Sequence, residues 1–349
     1  MILTRSPYYK TIAWDVSAEK YILEIYVWKG LKADVPVSPT YEIENKNPLA
    51  RSGDSKVNIS NLINDDLTIG LESDTITNVI DSNSAVWVKT QVIDYINGVA
   101  QTPRLVTTDL AIKGYGYGIE GENTTIPSNN ILAYGSSVNV SYDSNFTLPI
   151  KVSEVASVDV TVISYPSNEI NKSFTISATT NSNELIKNVF VKCSECINDT
   201  SIQIDYEGVI YELILKEELR YNPIDIWYLN KYGQLYSLTF FKDKTESLKV
   251  ENEMYESSNG QPINGIHQYE RFNTTGKSEF KVKSGFLKET NNEIFKQLFL
   301  SNKIWQFNGT TFIPLNLNSK SLEYKTRQRD RLISYEIDFE YAFSELNNI

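Results

Sequence analysis

At 349 residues the chain is long enough for two or three domains of roughly 150 residues each, and it can bury enough surface to fold without a disulfide or a metal. Its 41% hydrophobic, 22% charged and 12% aromatic residues exclude a disordered, collagenous or simple coiled-coil chain. With 44 acidic against 33 basic residues the formal charge is −11, which argues against a broad grip on nucleic acid or an anionic membrane, since both need clustered Lys and Arg.

Met1–Pro7 has no basic cap followed by an apolar core, and no run approaches the roughly 18 apolar residues of a membrane helix, so synthesis in a cytoplasm is expected. The first strong element is a strand: Tyr21, Leu23, Ile25 and Val27 alternate with Ile22, Glu24, Tyr26 and Trp28. Lys56–Asn64 then reads as a short helix with Ile59, Leu62 and Ile63 inward and Asp54 or Ser55 as cap. Ser84–Ile96 runs apolar and β-branched into Asn97-Gly98, the strongest short hairpin signal, because both central residues of a type I′ turn need φ > 0. Gly114–Asn130 is rich in Gly, Asn, Thr, Ser and Pro and reads as a linker, expected to be ordered mainly by partner subunits.

Further strands follow at Val158, Val160 and Val162, at Ile202, Ile204 and Tyr206, and at Val209, Tyr211, Leu213 and Leu215, a spacing typical of sandwiches. The rhythm changes over Glu217–Pro223. The best helix spans Thr290–Ser301, where Thr290 and Glu293 have capping-box spacing, Ile294, Phe295, Leu298 and Phe299 form an apolar stripe, and Asn302 can end it in a left-handed cap. The expected fold is mainly β. It comprises an N-terminal β domain with one short helix (1–125), an Ig- or fibronectin-like antiparallel β-sandwich (126–218), and a β-rich C-terminal domain (219–349) carrying the one amphipathic α-helix.

Chemistry-bearing motifs are sparse. Gly116-Tyr117-Gly118-Ile119-Glu120-Gly121 matches G-x-G-x-x-G, but no helix can follow through Asn123–Pro127, and Glu120 and Glu122 would repel phosphate, so a loop is expected and no cofactor. Cys193 and Cys196 could form half a zinc site, a disulfide, or two inert thiols at a strand end. The only histidine, His267, lies far along the chain, so the metal reading would need carboxylates or a second subunit, and no metal site is assigned. No serine or cysteine sits in a nucleophile elbow. Asp65-Asp66 offers a carboxylate pair but reads as a solvated turn, and Tyr115 with Tyr117 could form a sugar-stacking platform. Lys320–Arg331 holds five bases and two acids. It reads as a solvated hairpin tip or, through Arg327, Arg329 and Arg331, as an electrostatic contact with an acidic neighbour.

The hairpin Asn222–Lys242, with Asn230-Lys231-Tyr232-Gly233 at its turn, resembles a segment of virion structural proteins of tailed phages infecting Bacteroidetes, including crAss-like podoviruses. So do Leu3–Tyr9, Leu23–Trp28 and Lys56–Asp65 near the start, and Gln297–Ser301, Lys320–Leu322 and Ile333–Ala342 near the end. The likeness covers the two ends; roughly 125–218 matches only as a generic sandwich. It implies a non-enzymatic tail component of a ring, hub or fibre-attachment layer, homo-oligomeric, bound to other virion tail proteins and located in the virion tail. It carries over no catalytic, cofactor or metal residue, and neither specific nucleic-acid binding nor membrane insertion is expected. Interface candidates are Tyr115, Tyr117, Arg327, Arg329 and Arg331. The alternatives are a carbohydrate-binding adhesin at a fibre tip and a tail glycosidase.

Overall fold

The computed structural model describes every residue except 48–52, 69–70, 72–77, 82–83, 125–129, 153–156, 177–184, 197, 258–259, 261–263, 325–332 and 347–349. Among the described residues the chain is mainly β, and one helix exceeds seven residues. It divides into two compact units, Met1–Lys216 with Leu229–Ser237, and Glu217–Tyr228 with Leu238–Ile349. One division lies beside residue 217, and the chain returns to the first unit over Leu229–Ser237. None separates 1–125 from 126–216, because Asn78–Asp81 of the first stretch ladders onto Ile186–Lys192 of the second.

In the first unit a six-stranded sheet runs in the order Ile2–Leu3, Arg104–Ile112, Ala85–Ile96, Lys20–Trp28, Tyr41–Lys46, with Val99–Ala100 folded back on Ala85–Ile96. Asn97 and Gly98 both have positive φ, 50° and 74°, as the type I′ turn requires. Tyr21, Leu23 and Ile25 point into a core shared with Ile12, Ile59, Ile63 and Val88. Ile63 reaches it from the Ser60–Asn64 helix and Ile59 from that helix's N-cap, and the helix is shorter than expected: Asp54–Asn58 is a strand antiparallel to Tyr9–Ala13. Asn58 makes the switch, its side-chain oxygen accepting from the N–H of Ser60 at 3.1 Å and its hydroxyl at 2.8 Å, which ends the strand and opens the turn.

The rest of this unit is a sandwich. One sheet orders Ser137–Ser141, Val209–Lys216, Ser201–Tyr206, Val158–Tyr165, Asn171–Ile176; the other orders Asn145–Lys151, Ile186–Lys192, Asn78–Asp81. Phe146 stacks on Tyr211 across the interior with ring centroids 6.0 Å apart. The sandwich is not wholly antiparallel, since Ser137–Ser141 runs parallel to Val209–Lys216, as Ile2–Leu3 does to Arg104–Ile112. Parallel partners need long connections, and both pairs are far apart in sequence.

The second unit holds most of a seven-stranded sheet in the order Leu235–Phe240, Ile224–Leu229, Ile304–Phe307, Phe312–Leu317, Glu336–Tyr341, Tyr269–Lys283, Lys244–Glu256. Its helix covers Asn292–Phe299 after a 3-10 turn at Glu289–Asn291. Ile294, Phe295 and Leu298 are buried, whereas Phe299 is half-buried. Neither expected cap forms. Asn291, not Thr290, stands at the N-cap without a side-chain capping bond, and Glu293 reaches forward to Lys296 and Gln297. The C-cap is Leu300 at φ −92°, and Asn302 is not left-handed.

Candidate functional site

The glycine-rich stretch that reads as a linker is held by the chain itself over Gly114–Thr124. Leu3–Tyr9 runs along it: Arg5 N–H donates to the Gly114 carbonyl at 2.9 Å, Gly116 N–H to the Ser6 hydroxyl at 2.7 Å, and Asn123 exchanges side-chain bonds with both backbone groups of Tyr9. On its other flank lies the turn Asn230–Gly233, where Tyr115 N–H donates to the Lys231 carbonyl at 2.8 Å. Close approach explains the glycine: a Cβ on Gly114 would stand 2.8 Å from both Leu3 and the Lys231 carbonyl. The expectation that partner subunits order this segment is therefore corrected for residues 114–124; 125–129 lie outside the described residues.

The aromatic rings of the stretch are accounted for locally. Tyr115 is buried with the Arg5 guanidinium 4.9 Å from its ring centroid, and half-buried Tyr117 lies 4.3 Å from the Lys231 ammonium. The two rings meet edge-to-face at 5.9 Å, so they offer no flat stacking platform for a sugar. Lys231 also donates to Glu120 at 2.6 Å, while the other oxygen of Glu120 accepts from Tyr117 N–H at 2.8 Å. The carboxylate thus occupies the Tyr117 N–H that an anion would need, and the helical part of the motif is a three-residue 3-10 turn, Gly118–Glu120. Among the described residues the turn therefore forms no phosphate cradle. At the apex of this clamped turn Ile119 is 97% exposed.

Asn58 and Asn64 close the arrangement, accepting from Tyr8 N–H at 3.2 Å and the Thr4 hydroxyl at 3.0 Å. A shallow polar groove between Thr4–Pro7 and Asn58–Asn64 carries one cation, Arg5, and no carboxylate on its lining. The turn Asn230–Gly233 is fixed from within: Asn230 accepts from the N–H groups of Tyr232 and Gln234, and donates to the Leu132 carbonyl at 2.8 Å. Sequence reasoning reads this turn only as a turn, and misses Arg5, Lys231 and Ile119. The signal present in the sequence is the Gly-Tyr-Gly-Tyr-Gly alternation, whose small residues mark close backbone approach.

Of the other sequence candidates, Arg327, Arg329 and Arg331 lie outside the described residues. Cys193 and Cys196 are buried thiols not joined as a disulfide, at the start and the C-cap of a 3-10 turn, and burial pushes the Cys196 thiol up to about 11 although Ser164 bonds to it. His267 is exposed beyond the strand Lys244–Glu256, and Asp66 accepts from the Tyr41 hydroxyl at 3.3 Å. No group of three or more His, Cys, Asp or Glu suited to a metal occurs among the described residues.

A carboxylate that is both perturbed and buried is Asp199, close in sequence to the cysteines. Burial disfavours its charge, but hydrogen bonds from Ser164, from the N–H and hydroxyl of Ser167 and from the Glu169 N–H outweigh that and hold its pKa below the usual value. A depressed folded-state pKa gives stability that is present above the unfolded value and lost as pH falls through the folded one. Asp199→Asn is therefore expected to lower the melting temperature at neutral pH, with the gap to wild type closing below about pH 4. Calorimetry across pH checks this, and a gap independent of pH would show that the charge contributes nothing.

No family model, curated protein or solved structure matches the chain. What the described residues assemble is a polar surface around the clamped Gly114–Thr124 turn.

Proposed function

We propose that the chain is a non-enzymatic structural subunit of a phage tail, built into a ring, hub or fibre-attachment layer through contacts with other tail proteins and with copies of itself. The observation that carries this reading is convergence. Leu3–Tyr9, Lys56–Asp65 and the turn of the Asn222–Lys242 hairpin resemble tail proteins separately in sequence, and they meet in one unit around the Gly114–Thr124 turn. That turn is braced on both sides and presents Ile119, an apolar side chain whose burial in a neighbour's pocket would need no reordering of its backbone. The basic segment with Arg327, Arg329 and Arg331 remains a candidate for orienting a second contact.

The test is the composition of purified particles. The chain is expected in gradient-purified virions at a fixed copy number, located in the tail by antibody labelling, with Ile119→Asp folding normally but incorporated at a reduced level. Absence from the particle overturns the tail reading. Turnover of a polysaccharide by the purified chain would overturn the non-enzymatic part of it, and saccharide binding by the monomer would favour an adhesin.

A further inference from the structure

The strand Lys244–Glu256 ends the seven-stranded sheet. One of its edges ladders onto Tyr269–Lys283, and among the described residues no strand pairs with the other. At 13 residues it is a long open edge, of the kind proteins usually guard with charge. The charges here are Lys244, Glu246, Lys249, Glu251, Glu253 and Glu256. Their order does more than guard the edge, because it is complementary to itself.

When two copies of a strand pair antiparallel about a two-fold axis, the residue on the axis faces its own copy and the others face partners equally far on the opposite side. The axis must pass through a residue rather than between two, since alternate residues turn their N–H and C=O to the open edge and must meet their like. The alternation is unbroken along Lys244–Glu256. Between the pairs Glu251–Thr275 and Glu253–Phe272 the extra residue lies in the neighbouring strand. With the axis at Val250, Lys249 faces Glu251 and Lys244 faces Glu256, each twice by symmetry, while Glu246 faces Met254 and Ser247 faces Glu253. No like charges meet. An axis one residue away puts Lys249 or Glu251 against its own copy.

The side chains agree with that register. Leu248, Val250 and Met254 share the face that carries the buried Phe280 and Val282, yet they are 58%, 45% and 59% exposed. With the axis at Val250, Val250 meets its copy directly and Leu248 lies diagonal to Val250 and Met254 of the second copy, within reach of both. In the single chain Lys249 pairs with Glu251 of its own strand at 3.0 Å, an exposed contact that re-pairing can replace at little cost.

We infer that this edge joins two copies of the chain, strand to strand and antiparallel about Val250. The inference rests on the reading of the chain as an assembling subunit and names one partner within it. The test is sedimentation of the full chain over about 1 to 100 µM. Wild type is expected to dimerise. Lys249→Glu sets Glu against Glu, Glu251→Lys sets Lys against Lys, and each is expected to weaken the dimer by about tenfold or more. The double swap K249E/E251K restores opposite signs and the dimer, and so does mixing the two single variants, which rules out misfolding as the cause of their failure. A wild type that stays monomeric overturns the inference, and so does a dimer indifferent to these signs. Particle composition reads separately: a chain present in virions whose dimer ignores the swaps loses this register alone, and one absent from virions whose dimer obeys them loses only the tail reading.

Discussion

Phe295→Ala is expected to destabilise the second unit by about 3 to 5 kcal/mol, the range for removing a fully buried aromatic ring. Phe295 has no exposed surface, and its ring centroid lies 4.6 Å from that of Tyr335 and 6.2 Å from that of Phe240, itself set edge-on to Phe339. The helix cannot readily slide into the vacated space, because the Tyr228 hydroxyl holds the Ile294 carbonyl at 3.2 Å and Tyr335 holds the Asn292 side chain at 2.6 Å. A residual cavity should therefore persist, and its unfilled volume adds to the lost transfer energy. A chain of two compact units need not unfold in one step, so the measurement is a denaturant melt that resolves the transition of the second unit. A midpoint shift near zero would mean that the helix face is not core.

The core face of that helix is legible in the amino-acid sequence, and the reason is physical. Ile294, Phe295 and Leu298 fall on one side of a helix by local periodicity, just as Tyr21, Leu23 and Ile25 fall on one side of a strand and Asn97-Gly98 fits one turn type. None of these needs knowledge of a distant partner. The caps of the same helix are not legible, because Glu293 has two options of similar reach, back to the N-cap or forward to Lys296 and Gln297, and a window of four residues does not rank them. Asp54–Asn58 departs from the expected helix for a non-local reason. Its partner strand, Tyr9–Ala13, lies far earlier in the chain, and pairing with it overrides local preference.

The candidate site is less legible still. Glycines 114 and 116 signal either freedom or close approach, and composition favours freedom until the approaching backbone is known. The edge strand shows the same dependence: its Lys and Glu order is readable in the sequence, but self-complementarity has meaning only once that strand stands at an edge. Arg5, Lys231 and Glu120 come from three distant stretches, and nothing in any one of them marks the others as partners.

Gly233→Ala is expected to cost about 2 to 5 kcal/mol, combining left-handed strain with overpacking against a rigid neighbour. Gly233 has φ +68°, and a Cβ there would collide with the backbone carbonyl of Lys113, which cannot rotate away as a flexible side chain could. Lys113 is anchored in turn, since it sits between Ile112 and Gly114, whose carbonyls accept from the Thr4 and Arg5 N–H groups at 3.0 and 2.9 Å. Relief would have to come from moving the turn itself, and that would strain the 2.8 Å bond from Tyr115 N–H to the Lys231 carbonyl and the Lys231–Glu120 ion pair. Gly98→Ala is the internal control: its φ of +74° carries the same strain, but nothing lies within 4 Å of the added carbon, so about 1 kcal/mol is expected. The difference between the two variants isolates the close approach. Limited proteolysis gives a second readout, because loosening the hairpin turn should expose Gly114–Thr124 to cleavage in Gly233→Ala and leave it protected in Gly98→Ala. Equal melting shifts and equal protection in both variants would show that the hairpin turn does not brace the Gly114–Thr124 segment.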